Sequence, residues 1–187
     1  VETKRYQKEL MMRSFEPVTR FDIAFSSFCL QHRFSHQVAA ISKAVSHSGD
    51  GHLYLACSLI AFFFGGHEGE LFFWGVLLAF SIELPIYWLM KNSVKRRRPE
   101  EHTPYIPAFI TPSDRYSLPS GHTAAGFLFA TLVGAFYPVL LPFAFTWACL
   151  IGTSRVLLGV HFLTDIVIGA LLGMGSAQIV LSLLGAN

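Results

Sequence analysis

Charge is scarce in this sequence. Only 14% of its 187 residues are Asp, Glu, Lys or Arg and 52% are hydrophobic, whereas an ordinary soluble domain carries about 25% charge. That balance excludes a conventional water-soluble globule and reads as one membrane-embedded domain over residues 1–187. Cysteine is nearly as rare. Cys29, Cys57 and Cys149 lie scattered in apolar surroundings, which excludes a disulfide framework and a thiolate metal site. No cluster of carboxylates accompanies the polar motifs, so a magnesium site is not expected. His32, His36, His47, His52, His67 and His102 suggest no ligand set either, and neither a metal nor a cofactor is expected. The formal net charge is only +2 and no basic, aromatic-interleaved stretch is present; both speak against nucleic acid as a partner. There is no internal repeat and no low-complexity segment. Lys4, Arg5, Lys8, Arg13 and Arg20 interrupt the first twenty residues, which do not read as a cleavable signal peptide.

What is present is a series of long apolar blocks. Spans are predicted at residues 52–65, 71–90, 120–137, 139–154 and 160–184, judged by a rise of about 1.5 Å per residue across a hydrocarbon core of about 30 Å. Before them, Phe21, Ile23, Ala24, Phe25 and Phe28, then Val38, Ile41 and Val45, recur at roughly helical spacing. Residues 1–50 therefore read as interfacial amphipathic helices, closed by the turn signal Ser48-Gly-Asp-Gly51, and residues 51–187 as a helical bundle. Gly169, Gly173 and Gly175, with Ala170 and Ala177, are expected to permit close packing of the last span. The fold class is all-α, a multi-pass bundle of about five spans. In such a bundle the end of the second span, the start of the third and the turn between the last two share one side of the membrane.

The polar residues sit at those three places. Lys91-Asn-Ser-Val-Lys-Arg-Arg-Arg98-Pro99 follows the second span; Lys91, Lys95 and Arg98 are spaced to share a helical face that Pro99 terminates. A basic run there is an ordinary topology anchor, but a lysine and an arginine on one face also suit phosphate oxygens. Glu83 is spaced to face Tyr87 and Lys91, as an interhelical hydrogen-bonding group or as a partner for a functional cation. Leu118-Pro-Ser-Gly-His122 opens the third span, with Ser120 as helix cap, Gly121 allowing an anion close to free N–H groups, and His122 placed to move a proton. Residues 154–165 set Arg155, His161 and Asp165 in apolar sequence, where charge is costly and marks working residues. With helix from His161 onward, His161 and Asp165 share a face, the carboxylate fixing the imidazole tautomer and freeing the other nitrogen as nucleophile or base.

Together, Lys91 with Arg98-Pro99, Pro119-Ser-Gly-His122, and Ser154-Arg155 with His161 and Asp165 resemble the complete three-part signature of the type 2 phosphatidic acid phosphatase (PAP2) superfamily. The resemblance implies a PAP2/haloperoxidase-like core and a metal-independent membrane lipid phosphatase. By that likeness His161 attacks phosphorus and becomes a phosphohistidine, Asp165 orients it, and His122 protonates the leaving oxygen and later activates water. Lys91, Arg98, Arg155, Ser120 and the Gly121 N–H bind the phosphoryl oxygens. Phosphatidate, phosphatidylglycerol phosphate and undecaprenyl diphosphate all place phosphate at headgroup level with the tail in lipid, and the sequence does not choose among them.

Two other readings stand beside it: a vanadate-type haloperoxidase relative, and a non-catalytic phosphate-lipid binder or anion carrier. The intact His122, His161 and Asp165 favour turnover over binding, which needs only the cations. The N-terminal basic residues share the catalytic side and point it to the cytoplasm. Family likeness points instead to the periplasmic face of a bacterial inner membrane, the expectation adopted here. The sequence sets no oligomeric state.

Overall fold

A computed structural model describes residues 2–31, 35–102 and 106–185, with side chains from residue 16 onward except at 35. The described residues are all-α, as expected, in seven helices: α1 (Glu2–Leu30), α2 (Ser35–His47), α3 (His52–Phe64), α4 (Gly66–Val94), α5 (Gly121–Phe136), α6 (Leu141–Leu157) and α7 (Leu163–Leu184). Single 3-10 turns occupy Pro99–Glu101 and Pro138–Leu140.

Helix α5 is the centre of the bundle, packed against α4, α6 and α7. Its Leu128, Phe129, Leu132 and Val133 join Tyr54 of α3, Phe72, Val76 and Ala79 of α4, and Ala177, Val180 and Leu181 of α7 in one buried cluster. The α5/α7 seam is close because two glycines face it. A Cβ on Gly173 would lie 2.0 Å from the Ala124 carbonyl oxygen, and one on Gly169 would lie 2.6 Å from that of Ser120. Gly175, expected in the same seam, is exposed with open space around it. The outer surface is apolar: Phe64 and Val139 are more than four-fifths exposed, and Trp88, Phe143 and Leu183 also face outward. This is the inversion expected where lipid is the solvent.

Among the described residues, three helical stretches are long and apolar enough to cross a membrane: Gly66–Glu101, Pro138–Leu157 and Leu163–Leu184. Five were expected. The apolar helix α5 has 16 residues and α3 has 13, so α3 rises only about 20 Å. The span expected at 160–184 begins later, because residues 158–162 form a loop before α7. There Gly159 has φ +74°, and a Cβ would meet the Pro107 carbonyl oxygen at 2.0 Å. Both constraints exclude other residues.

Helices α1 and α2 each have one buried and one exposed face. The stripe that α1 buries against α6 and α7 is Asp22, Ser26 and Leu30, while Phe21 and Phe28 point outward. In α2, Ala39, Ser42 and Ser46 are buried and Ile41 is exposed. Of the apolar residues that gave these helices their period, Phe21, Ala24, Phe28 and Ile41 are exposed and Ile23, Phe25, Val38 and Val45 are half-buried, while most of the fully buried positions are polar.

Gly173→Val is expected to force the α5/α7 seam apart at a cost of about 1–3 kcal/mol or more, whereas Gly175→Val should be neutral. Thermal unfolding of the two variants in detergent checks this; equal losses would contradict the packing described.

Candidate functional site

The three polar clusters are joined by direct hydrogen bonds at one end of the bundle. The Ser120 backbone N–H donates to the Asp165 carbonyl at 3.1 Å, tying the start of α5 to the first turn of α7. Arg98 donates through Nη1 to the Val160 carbonyl, tying the segment after α4 to the α6–α7 loop. Arg96, in the same segment, donates through Nη1 to Asp165 Oδ1 at 2.8 Å. All eight residues expected at the site thus reach one region, and Lys91, Arg98, Ser120, Arg155, His161 and Asp165 are buried in it. Gly121 and His122 are half-buried at its edge.

The first cluster is not one helical face. Helix α4 ends at Val94, Lys95 closes it with φ 52°, and Arg98 is extended. Pro99 is the reason, since the residue before a proline is driven out of the helical region. Lys95 is exposed while Lys91 and Arg98 are buried, and both of these ion-pair with Asp114. Lys91 Nζ lies 2.6 Å from Asp114 Oδ2, and Arg98 Nη2 donates to Oδ1. Tyr87 completes the group, donating to Asp114 at 2.7 Å and accepting from Lys91 at 2.5 Å. Burial alone would raise the Asp114 carboxyl, but hydrogen bonds from Lys91 and Tyr87 and the Lys91 and Arg98 charges hold it below the usual carboxylate range. Glu83 is buried one turn from Tyr87, yet the partners of Lys91 are Tyr87 and Asp114.

Ser120 stands at the N-cap of α5, but its hydroxyl makes no capping bond and accepts from Thr123 Oγ1 at 2.9 Å. Gly121 is needed for contact: a Cβ there would lie 3.1 Å from the Tyr87 ring. His122 Nε2 is 2.7 Å from Asp50 Oδ1, and Asp50 Oδ2 is 2.6 Å from His47 Nδ1.

His161 precedes α7, whose N-cap is Phe162, so the expected helical pairing is replaced by a capping geometry. Asp165 Oδ2 accepts from the Phe162 N–H at 2.8 Å and lies 3.6 Å from His161 Nδ1. That is beyond a hydrogen bond, and Nδ1 has no partner among the described residues. Burial, with the Arg98 and Arg155 charges adding to it, pushes the His161 imidazole down to about 4 against the opposing pull of Asp165. The ring is neutral at physiological pH. Arg155 donates to Ser46 Oγ at 2.6 Å, and its Nε has no partner among the described residues.

Sequence reasoning missed Arg96, Asp22, Asp50, Ser46 and Asp114. Arg96 is the most consequential. Its Nη2 lies 2.6 Å from Asp22 Oδ2, its Nη1 is 2.6 Å from Thr164 Oγ1, and its guanidinium sits 4.4 Å above the Phe162 ring. Asp22, fully buried, also accepts from the Thr164 hydroxyl and backbone N–H. The signal for Asp22 was available: it is a lone acid between Phe21 and Ile23, as costly in apolar sequence as the residues that were singled out.

Arg96→Met is expected to leave two buried carboxylates without their shared cation, a loss of about 3–5 kcal/mol, while the same change at exposed Arg97 should cost little. Unfolding temperatures in detergent would decide it, and equal effects would remove Arg96 from this role.

The PAP2 superfamily profile matches residues 71–187. The chain is 35% identical over 105 residues to decaprenylphosphoryl-5-phosphoribose phosphatase of Mycobacterium tuberculosis, a match covering 53% of this chain and 54% of that protein. It is 31% identical over 110 residues to phosphatidylglycerophosphatase B of Bacillus subtilis, covering 53% and 51%. The chain therefore spans about half the length of the curated relatives it matches. The fold is similar to the crystal structure of a transmembrane PAP2 type phosphatidylglycerolphosphate phosphatase from Bacillus subtilis, with TM-score 0.71, 24% identity and coverage of 91% of this chain and 87% of that one. It is also similar to Aquifex aeolicus LpxE, with TM-score 0.74, 23% identity and coverage of 87% and 95%. With the matched region running from early in α4 through α7 and containing all three polar clusters, this chain is a membrane protein belonging to the PAP2 superfamily.

Proposed function

We propose that the chain, acting as one domain in which Asp22, Ser46 and Asp50 support the site, is a membrane lipid phosphatase that works through a phosphohistidine at His161. The observation that carries this is the convergence of the three clusters on His161, a neutral imidazole with Asp165 behind Nδ1 and cations around it. Nε2, the opposite nitrogen, attacks phosphorus in line. Lys91, Arg98 and Arg155, with Ser120 and the Gly121 N–H, hold the phosphoryl oxygens. Phosphoryl transfer is mostly positioning and charge neutralisation, and three fixed cations supply both without a metal. The phosphate displaces Asp114 from Lys91 and Arg98, so binding exchanges one anion for another and leaves no buried cation bare. His122, oriented by Asp50, protonates the leaving oxygen and then takes a proton from the water that releases phosphate.

Lipid is favoured over soluble phosphate esters by a cavity of about 520 Å³ beside the site. Asp50, Gly121 and His122 contribute to its lining from the starts of α3 and α5, and Leu55, Val76, Leu77, Phe80 and Leu84 form its apolar wall. A headgroup phosphate at His122 leaves its tail among those side chains. Phosphatidylglycerol phosphate and polyprenyl phosphates come first, since the relatives' names point to those classes, with phosphatidate and undecaprenyl diphosphate beside them. The setting proposed is a bacterial inner membrane, with the site on the periplasmic face.

Phosphate release by purified protein in detergent with EDTA present tests the reading. Activity should persist in chelator, vanish in His161→Ala and His122→Ala, and fall far more in Lys91→Ala or Arg98→Ala than in Lys95→Ala. Binding of phosphate lipid that survives His161→Ala, with no wild-type turnover, would favour a non-catalytic binder.

The pH dependence has a defined sign. A His161 value near 4 keeps the nucleophile neutral above about pH 4 and protonates it below. In single-turnover assays the limb on which phosphoenzyme formation is lost to acid should therefore lie near pH 4. A His161-dependent limb near the ordinary histidine value of about 6.5 would contradict the buried environment described.

A further inference from the structure

Among the described residues, one cluster of metal-ligating side chains lies outside the three motifs, on and beside the turn that carries Asp50. We propose that His47, Asp50 and His52 form a binding site for a divalent transition-metal ion of the zinc class, and that an ion held there inhibits turnover by withdrawing Asp50 from His122. The inhibitory half rests on the proposed proton-transfer role of His122; the binding half stands on geometry alone.

One ligand atom from each of the three residues lies within 4.8 Å of the others. Ligand atoms on a tetrahedral zinc with bonds of about 2.0–2.1 Å are separated by about 3.4 Å, so rotations of exposed side chains suffice to close the set. The backbone that carries them is fixed. The Gly49 N–H donates to Ser46 at 2.9 Å and the Asp50 N–H to His47 at 3.2 Å. Trp147 Nε1 of α6 holds Ser48 Oγ at 2.8 Å, and a Cβ on Gly49 would lie 3.1 Å from Ile151. The His47 and His52 rings already meet edge to face with centroids 5.5 Å apart. Two imidazoles and one carboxylate suit zinc, nickel or copper, whereas magnesium and calcium take oxygen ligands. The side chains of His47 and Asp50 are reachable from water.

The same carboxylate links this cluster to the catalytic end. Asp50 Oδ2 meets His47 Nδ1 at 2.6 Å and Oδ1 meets His122 Nε2 at 2.7 Å. An ion that takes Oδ2 and the His47 lone pair replaces the hydrogen bond between them and draws charge out of the carboxylate. Oδ1 is then a poorer acceptor, or turns towards the ion, and His122 loses the group that orients it. The metal is no cofactor here; it acts on the proton-transfer residue through Asp50.

The test uses the full chain in detergent, stripped with EDTA and dialysed free of it, with zinc chloride as the probe. Calorimetry should show one zinc per chain, and binding should weaken by at least about tenfold in His52→Ala, a loss on the scale expected for damage to a metal site. Phosphate release should fall at least fivefold as the site fills, while His52→Ala keeps zinc-free wild-type release and resists zinc. Magnesium should neither bind nor inhibit. Failure of wild type to bind zinc, or equal binding by His52→Ala and by a second variant, His47→Ala, overturns the site. Binding with undiminished release overturns the link through Asp50. A chain that releases no phosphate even without zinc would refute the phosphatase reading, and calorimetry would still decide the metal site.

Discussion

The buried carboxylate of Asp165 is the point on which the catalytic end depends. One oxygen caps α7 through the Phe162 N–H and lies 3.6 Å from His161; the other takes the Arg96 guanidinium. Its backbone carbonyl receives the Ser120 N–H. A single residue thus starts α7, sets α5 beside it and faces the histidine, while Arg96 reaches from it to Asp22 on α1. Helix capping, interhelical registry and the surroundings of His161 thus share one group.

Charge neutrality organises what surrounds it. Arg96 is shared by two carboxylates, and Lys91 and Arg98 share Asp114. Arg155 makes no ion pair with a described residue and is held by the Ser46 hydroxyl. Compensation lowers the cost of burying a cation, and Asp114 supplies it to Lys91 and Arg98 from a loop, where a rearrangement breaks no helix. The proposed phosphate site therefore has two cations that share a partner on a loop and a third, Arg155, with no anionic partner among the described residues. The N-terminal region, outside the matched family region, enters this arrangement through Asp22 on α1, Ser46 on α2 and Asp50 on the turn after α2. Two polar members of the inward stripes of α1 and α2 meet charged groups there, Asp22 with Arg96 and Ser46 with Arg155.

How much of this was legible in sequence depended on spacing. Three motifs with fixed internal intervals marked Lys91, Arg98, Ser120, Gly121, His122, Arg155, His161 and Asp165, and topology brought them together. Contacts made by lone residues on distant segments left no interval to read. Asp50 lay inside a turn signal, Asp114 belonged to no motif, and Arg96 was one of three consecutive arginines, of which only Arg98 had a motif to distinguish it. The period in α1 was seen but its sense was not, since Phe21 and Phe28 match a helix packed either way. Local backbone rules explain the remaining differences: Pro99 holds Arg98 extended, and Gly159 turns the chain before His161, so neither residue sits on the helix its spacing suggested.

The proposal turns on His161, which faces Asp165, taking up the phosphoryl group. The most direct measurement is mass spectrometry of peptides from wild-type enzyme quenched in alkaline denaturant during turnover of phosphatidylglycerol phosphate, conditions in which phosphohistidine survives. The account predicts a phosphate adduct on the peptide carrying His161, absent from His161→Ala. Turnover without any adduct, or with the adduct on His122, would contradict it.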